Sequence, residues 1–487
     1  MFNKAKNVFF TLILYSVSMF SFGNEDSLII EDCHLDGIRS QVKCGTIDVP
    51  SHYNKVNGEK IVINFAVLPA IDNTQNKTPL MFLAGGPGQA AVELAANIRN
   101  GFTEIRKTRD IILIDQRGTG LSHPLQCDES PQAKIYSIVP EDFNEKEVAA
   151  CINLLQETND LSLFTTENAV RDFDEVRKAL GHNQINIYGG SYGTRAALVY
   201  MRLFPESLKS VVLDSVGPIE VPIGLFGQSA ARSFNLLLAH CKEDKHCNEA
   251  YPNLAAEYQA VIERLSISTL TLKVGHPRLG TQTTFNLSKG KFISTLLTSL
   301  YSTQTRHLLP LVIHEAFNNN YQPLLGVIST SDGSSNMYVG LTFNIVCNED
   351  MPRISPEMII KDKDNSFGKG QTHRGWEVAC PLWPKYSVDA SFYQSVTANI
   401  PTLILSGNLD PVTPPSNGEK SAATLPNSHH IISNRNAHIV ASTACGVDMV
   451  NDFLNHLDPK KVDQSCLLEL PEQSFMTGLN GSYKDLL

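Results

Sequence analysis

Residues 184–188, Gln-Ile-Asn-Ile-Tyr, run straight into Gly189-Gly190-Ser191-Tyr192-Gly193, and a helical stretch follows over 194–203. A serine at the apex of a strand–turn–helix junction constrains this chain more than any other feature. The turn is so sharp that side chains flanking the serine would collide, hence the small Gly189 and Gly193. It lifts the Ser191 hydroxyl above a sheet and aims the following helix N-terminus at the carbonyl that reacts there. The bare G-x-S-x-G spacing is common, but its place between a strand and a helix makes it specific. The plain alternative is a glycine turn with an idle serine.

A serine nucleophile of this kind needs an acid and a base that follow it in the order Ser, Asp, His. Residues 401–405 read as a strand, and the next loop, 406–414, carries Asp410 at the strand's C-terminal edge. Sites on open α/β sheets collect at that edge. After a further strand over 429–432 comes Asn436-Ala437-His438. An imidazole there can take the Ser191 proton and return it to the leaving group, with Asp410 fixing its tautomer. Asp214 also ends a strand and competes for the acid role, but it ranks behind Asp410. His429 and His430 belong inside a strand, and His182 reads as a surface or packing residue.

Backbone N–H groups must also face the developing oxyanion. One is expected from Tyr192. The other is expected from Leu83-Ala84-Gly85-Gly86-Pro87-Gly88, with Gly86 first and Gly85 second. Asp115-Gln116-Arg117-Gly118-Thr119-Gly120 closes the next strand as a polar brace for that glycine turn.

Further apolar runs bounded by turn residues predict strands over 60–68, 79–83, 110–114 and 209–213. In 167–180, Ala169, Phe173, Val176 and Leu180 share a helical face, and Gly181 sits where a C-terminal cap belongs. Strand and helix alternating predict a largely parallel sheet covered by helices. The pattern breaks between 216 and about 399, where helical segments (226–240, 253–265, 291–301, 307–318) outnumber convincing strands. A cap over one sheet edge is the expected arrangement. The chain divides into a signal peptide (1–23), a first core part (24–218), the cap (219–398) and a C-terminal core part (399–487).

The first 23 residues carry Lys4 and Lys6, an apolar run over 8–22 and the small-x-small site Ser21-Phe22-Gly23. Charge, apolar stretch and small residues in that order describe a secretory signal. A spanning anchor needs about 20 apolar residues, and this run is shorter and holds Thr11, Ser16 and Ser18. The protein is therefore expected to be secreted or periplasmic, with no membrane association after cleavage. An oxidising compartment pairs cysteines. Taken as neighbours, the ten cysteines give Cys33–Cys44, Cys127–Cys151, Cys241–Cys247, Cys347–Cys380 and Cys445–Cys466. No C-x-x-C and no H-E-x-x-H occurs, so neither a metal nor a cofactor is expected. The net charge of −10 argues against a nucleic-acid partner.

Gly85-Gly86-Pro87-Gly88, Asp115-Gln116-Arg117-Gly118, the Ser191 elbow and 407–414 together resemble the proline iminopeptidase branch of the α/β-hydrolases. Within it, the chain is similar to the exported tripeptidyl-aminopeptidase-like group, through Cys44-Gly45-Thr46-Ile47-Asp48-Val49-Pro50, Thr165-Thr166 leading to Asp172 and Arg177, and Cys347-Asn348-Glu349-Asp350 with Cys380 and Trp383-Pro384. The resemblance covers nearly all of the chain after residue 23. It implies an α/β-hydrolase fold, a mostly parallel sheet flanked by helices, with a large, mainly helical cap inserted before the catalytic Asp. It further implies a secreted serine exopeptidase that removes short pieces from free peptide N-termini. By carry-over, Ser191, Asp410 and His438 form the triad, and Tyr192 and Gly86 the oxyanion hole. Two departures are Ala84, where iminopeptidases have His, and Asn436-Ala437, where many relatives have Gly.

A peptide substrate with a free N-terminus brings an ammonium, and a desolvated ammonium needs a close counter-charge. Glu349 and Asp350, beside Cys347, are the expected substrate-binding carboxylates. A serine esterase or amidase with the same triad is the alternative, since the fold does not choose the acyl group. A non-enzymatic exported binding protein is disfavoured because each catalytic piece is present in order. The sequence carries no signal of oligomeric state.

Overall fold

A computed structural model describes residues 28–55, 58–75, 77–127, 144–275, 281–331, 337–364, 366–472 and 474–481. The expected signal peptide, 1–23, lies outside the described residues. Eleven strands occur among them: β1 (Ile29–Cys33), β2 (Val42–Pro50), β3 (Lys60–Leu68), β4 (Leu80–Leu83), β5 (Ile111–Ile114), β6 (Ile185–Gly190), β7 (Leu208–Asp214), β8 (Leu270–Gly275), β9 (Gln282–Leu287), β10 (Thr402–Gly407) and β11 (Ser428–Ser433). Nine form one sheet in the order β1-β2-β3-β5-β4-β6-β7-β10-β11. From β5 to β11 all neighbours are parallel, while β1, β2 and β3 run antiparallel and β3 joins β5 antiparallel.

The parallel strands are buried on both faces, so their sequences are continuous apolar runs rather than alternating ones. Met81, Leu83, Ile112, Ile187, Val211 and Ile404 face one layer, which holds the helices Thr166–Ala179 and Tyr192–Leu203. Leu80, Phe82, Leu113, Val212, Leu403 and Leu405 face the other, which holds the helix Ala444–His456. Burying a side chain of this size stabilises the fold by roughly 1.5–3 kcal/mol relative to exposure.

The seven expected strands are present, their ends moved by at most two residues. Four strands were not expected. β1 is an edge strand with four exposed residues, and β2 contains Gly45 and ends on Pro50, so neither carries a strong apolar run. β8 and β9 pair as an isolated antiparallel hairpin in the region expected to hold few strands.

Between β7 and β10, the helices Gly227–Glu243, Leu254–Ile267, Lys289–Leu300 and Leu309–Phe317 bury a core of their own, built on Phe234, Leu237, Val261, Leu296 and Ile313. The later part behaves differently. Leu341, Phe343, Ile345 and Trp383 share a cluster with Leu125, Ile152, Phe164 and Tyr192, so this strap packs directly beside the serine elbow. All ten cysteines pair as neighbours in sequence: Cys33–Cys44, Cys127–Cys151, Cys241–Cys247, Cys347–Cys380 and Cys445–Cys466. Among the described residues, no helix is long and apolar enough to cross a membrane.

Candidate active site

β6 delivers Ser191 into the first turn of the helix Tyr192–Leu203, with φ of 56° at the serine. Its N–H donates to the Asp214 carbonyl at 3.0 Å, which ties the elbow to the end of β7. A Cβ on Gly193 would lie 2.1 Å from the Leu83 carbonyl oxygen, so only glycine lets the elbow pack against the end of β4. The helix start leaves its first N–H groups without intrahelical acceptors, and that end carries the positive pole of the helix dipole.

The loops after β10 and β11 meet at one point. A Cβ on Gly407 would sit 1.9 Å from the Ala437 carbonyl oxygen, and this close approach places Asp410 beside His438. His438 Nδ1 donates to Asp410 Oδ2 at 2.7 Å. Asp410 Oδ1 accepts from the Val412 and Thr413 amides at 2.9 and 2.8 Å, and the Thr413 hydroxyl donates to Oδ2 at 2.7 Å. Burial pushes the Asp410 carboxyl up, but the His438 charge and these donors outweigh it and hold it below its ordinary value. The reverse holds for His438: burial pulls it down, yet Asp410 keeps it raised. The His438 amide donates to the Tyr301 carbonyl at 3.0 Å, and the two rings meet edge-on at 4.9 Å.

Ile439, next to His438, approaches Gly190, next to Ser191: a Cβ on Gly190 would lie 3.2 Å from Ile439 Cδ1. The three expected triad residues therefore gather at the C-terminal edge of β6, β10 and β11. Neither Ser191 Oγ nor His438 Nε2 makes a hydrogen bond among the described residues; such contacts commonly tighten only when substrate is bound. Asp214, the competing acid, anchors the loop after His438 instead. Its oxygens accept from the Val440 and Ala441 amides at 2.8 Å each, and from Tyr188 Oη at 2.8 Å. His429 and His430 lie within β11, where His430 Nε2 meets Ser406 Oγ at 2.9 Å.

Two amides remain for an oxyanion. Gly85 N–H already donates to Gln89 Oε1 at 3.1 Å, whereas those of Gly86 and Tyr192 have no acceptor among the described residues. The strap holds the glycine turn, through Thr342 Oγ1 to the Pro87 carbonyl (2.5 Å) and the Tyr338 amide to the Gly88 carbonyl (2.9 Å). The Tyr192 phenol accepts from Gln116 Nε2 at 3.3 Å and meets Thr166 Oγ1 at 2.7 Å, and Asp115 accepts from the Val92 and Leu121 amides. The loop 115–120 thus acts as a brace.

Glu349 and Asp350 lie in the strap, both buried. Asp350 Oδ1 accepts from Arg195, Arg353 and the Ile223 amide at 2.8, 2.8 and 2.9 Å, and Oδ2 from Arg195 at 2.8 Å. Two guanidinium groups therefore already compensate this buried carboxylate, which leaves it no free charge for a substrate ammonium. The expected amine-binding role of Asp350 does not fit this geometry. Among the described residues Glu349 takes only the Thr166 amide (2.8 Å) and hydroxyl (2.5 Å), and burial pushes its carboxyl up to about 7. Sequence reasoning assigned no role to Thr413, Tyr301, Thr166 or Arg195. Thr413 lay in the loop of Asp410 and Thr166 in the Thr165-Thr166 motif, whereas Tyr301 and Arg195 carried no local signal.

Residues 78–267 match the α/β hydrolase fold family, and residues 365–466 match the TAP-like protein family. The chain has the α/β hydrolase fold expected from its motifs, a mostly parallel sheet flanked by helices. It is 31% identical to tripeptidyl aminopeptidase of Streptomyces lividans over 204 residues, 38% of this chain and 37% of that protein. It is 25% identical to serine protease Hip1 of Mycobacterium tuberculosis over 76% of each chain. It is 31% identical to proline iminopeptidase of Aeromonas sobria over 38% of this chain and 39% of that one. The chain therefore spans less than half the length of both aminopeptidase relatives.

Proposed function

We propose that this chain is an exported serine exopeptidase that releases short N-terminal pieces from peptides bearing a free amine. Ser191 attacks the scissile carbonyl while His438 Nε2 removes its proton and later protonates the leaving amine. Asp410 keeps the proton on Nδ1 and stabilises the imidazolium that forms. The Gly86 and Tyr192 amides take the oxyanion. The observation that carries this reading is the 2.7 Å His438–Asp410 hydrogen bond beside a serine elbow. The TAP-like match over 365–466 supports the peptidase reading. Five disulfides support export, since such bridges persist in oxidising compartments. Glu349, with two lone-pair positions open, is the remaining counter-charge for the substrate amine.

Purified protein offered a free-amine peptide, its N-acetylated form and a short-chain p-nitrophenyl ester should cleave the free-amine peptide by a wide margin. Ser191→Ala should lose at least about 10⁴-fold in kcat for every substrate while keeping its melting temperature. Equal turnover of free and acetylated peptides would remove the exopeptidase reading. Glu349→Gln should raise KM for free-amine peptides and leave the ester unaffected. A matching fall in kcat for the ester would instead place Glu349 behind Thr166 and Tyr192, as a positioning residue.

A further inference from the structure

Arg306 ends the short helix Thr303–Arg306 and is 2% exposed. Its two terminal nitrogens donate to Ser233 Oγ at 2.9 Å and to the Ser233 carbonyl at 2.8 Å. Both acceptors are neutral. Among the described residues no carboxylate forms an ion pair with it, and burial, with Arg232 as a second cation, pulls its guanidinium down to about 9. Burying a guanidinium without a counter-charge is strongly unfavourable.

The side chain borders a cavity of about 410 Å³, whose wall also carries Arg435, His240, His307, Leu409 and Phe475. Glu243, Asp244 and Glu472 share that wall, and Glu472 is taken up by Arg435 at 3.4 Å. We propose that this cavity binds one small oxyanion, a carboxylate or a phosphate, which pairs with Arg306 and is steered in by Arg435. A planar guanidinium held in place by two fixed acceptors is suited to oxyanion recognition.

The site also touches the catalytic loop. Ser233 Oγ, which accepts from Arg306, donates to the Leu409 carbonyl at 2.6 Å, one residue before Asp410. Arg232 donates to the Asn408 carbonyl at 2.8 Å. An occupant therefore adds its charge to the clamp that holds the Asp410 loop from the cap side.

Isothermal titration calorimetry of the full chain with inorganic phosphate and with acetate, against sodium chloride at equal ionic strength, tests the site. Saturable binding of either anion is expected for the wild type. Arg435→Gln, at an exposed position, should weaken it about fivefold to tenfold, and Arg306→Gln should abolish it. Should Arg306→Gln fail to fold, the Arg435→Gln comparison decides. No saturable binding up to about 50 mM, or equal affinity in wild type and Arg435→Gln, overturns the proposal. In a Ser191→Ala background, competition by a tripeptide with a free C-terminus but not by its C-terminal amide identifies a peptide carboxylate as the occupant. Competition by neither leaves the free ion as the ligand.

Discussion

The Asp410–His438 pair sets the pH behaviour of the proposed chemistry. A general base must be neutral, and Asp410 raises His438 above the ordinary 6.5 against the pull of burial. The acid limb of kcat/KM should therefore have its midpoint above the value of an ordinary imidazole. Asp410→Asn should move that midpoint down and reduce kcat by about 10⁴-fold. A pH–rate profile on a free-amine peptide checks both, and an unmoved limb would count against the pairing. The stability signs are opposite for the two groups. The raised His438 contributes stability at low pH that is lost as pH rises through its folded value. The lowered Asp410 contributes stability above its ordinary range that is lost as pH falls through its folded value, so the pair contributes most between the two. Both residues were legible in the sequence because each sits in a loop just after a strand. Arg195 was not, because its partner Asp350 lies 155 residues away.

At the scale of elements, the strap matters most for the site. Val346–Asp350 is joined to the helix Gln371–Leu382 by Cys347–Cys380, with a sequence separation of 33. A loop of that length implies about 3–4 kcal/mol of stabilisation. Replacing both cysteines by serine should lower stability by about that amount in urea unfolding, and a loss below about 1 kcal/mol would mean the strap is held by packing alone. The parallel strands were readable because burial on both faces makes them continuous apolar runs. The β8–β9 hairpin was passed over although 270–275 alternates apolar and polar and Gly275, Pro277 and Gly280 follow it, because two short strands were outweighed by the longer helical periods on either side. The helix Val339–Ile345 was also missed: it is too short to show a helical period.

Across the whole molecule, the region between β7 and β10 splits into a helical body with its own core and a strap fused to the elbow. Intact mass measured without reductant should fall by two hydrogens for each of the five bridges, and iodoacetamide should label nothing until reductant is added. Labelling of the native protein would overturn the pairing. The sequence by itself determined the serine elbow, the parallel strands and the placing of Asp410 and then His438 in loops after later strands, and it suggested the neighbouring disulfides. Each is written in local periodicity, turn chemistry or a short loop. Only the tertiary structure decided that Asp214 anchors the histidine loop, that two arginines occupy Asp350, and that Arg306 is buried against neutral acceptors. Those outcomes depend on burial and on distances between residues remote in the chain, and no local pattern encodes either.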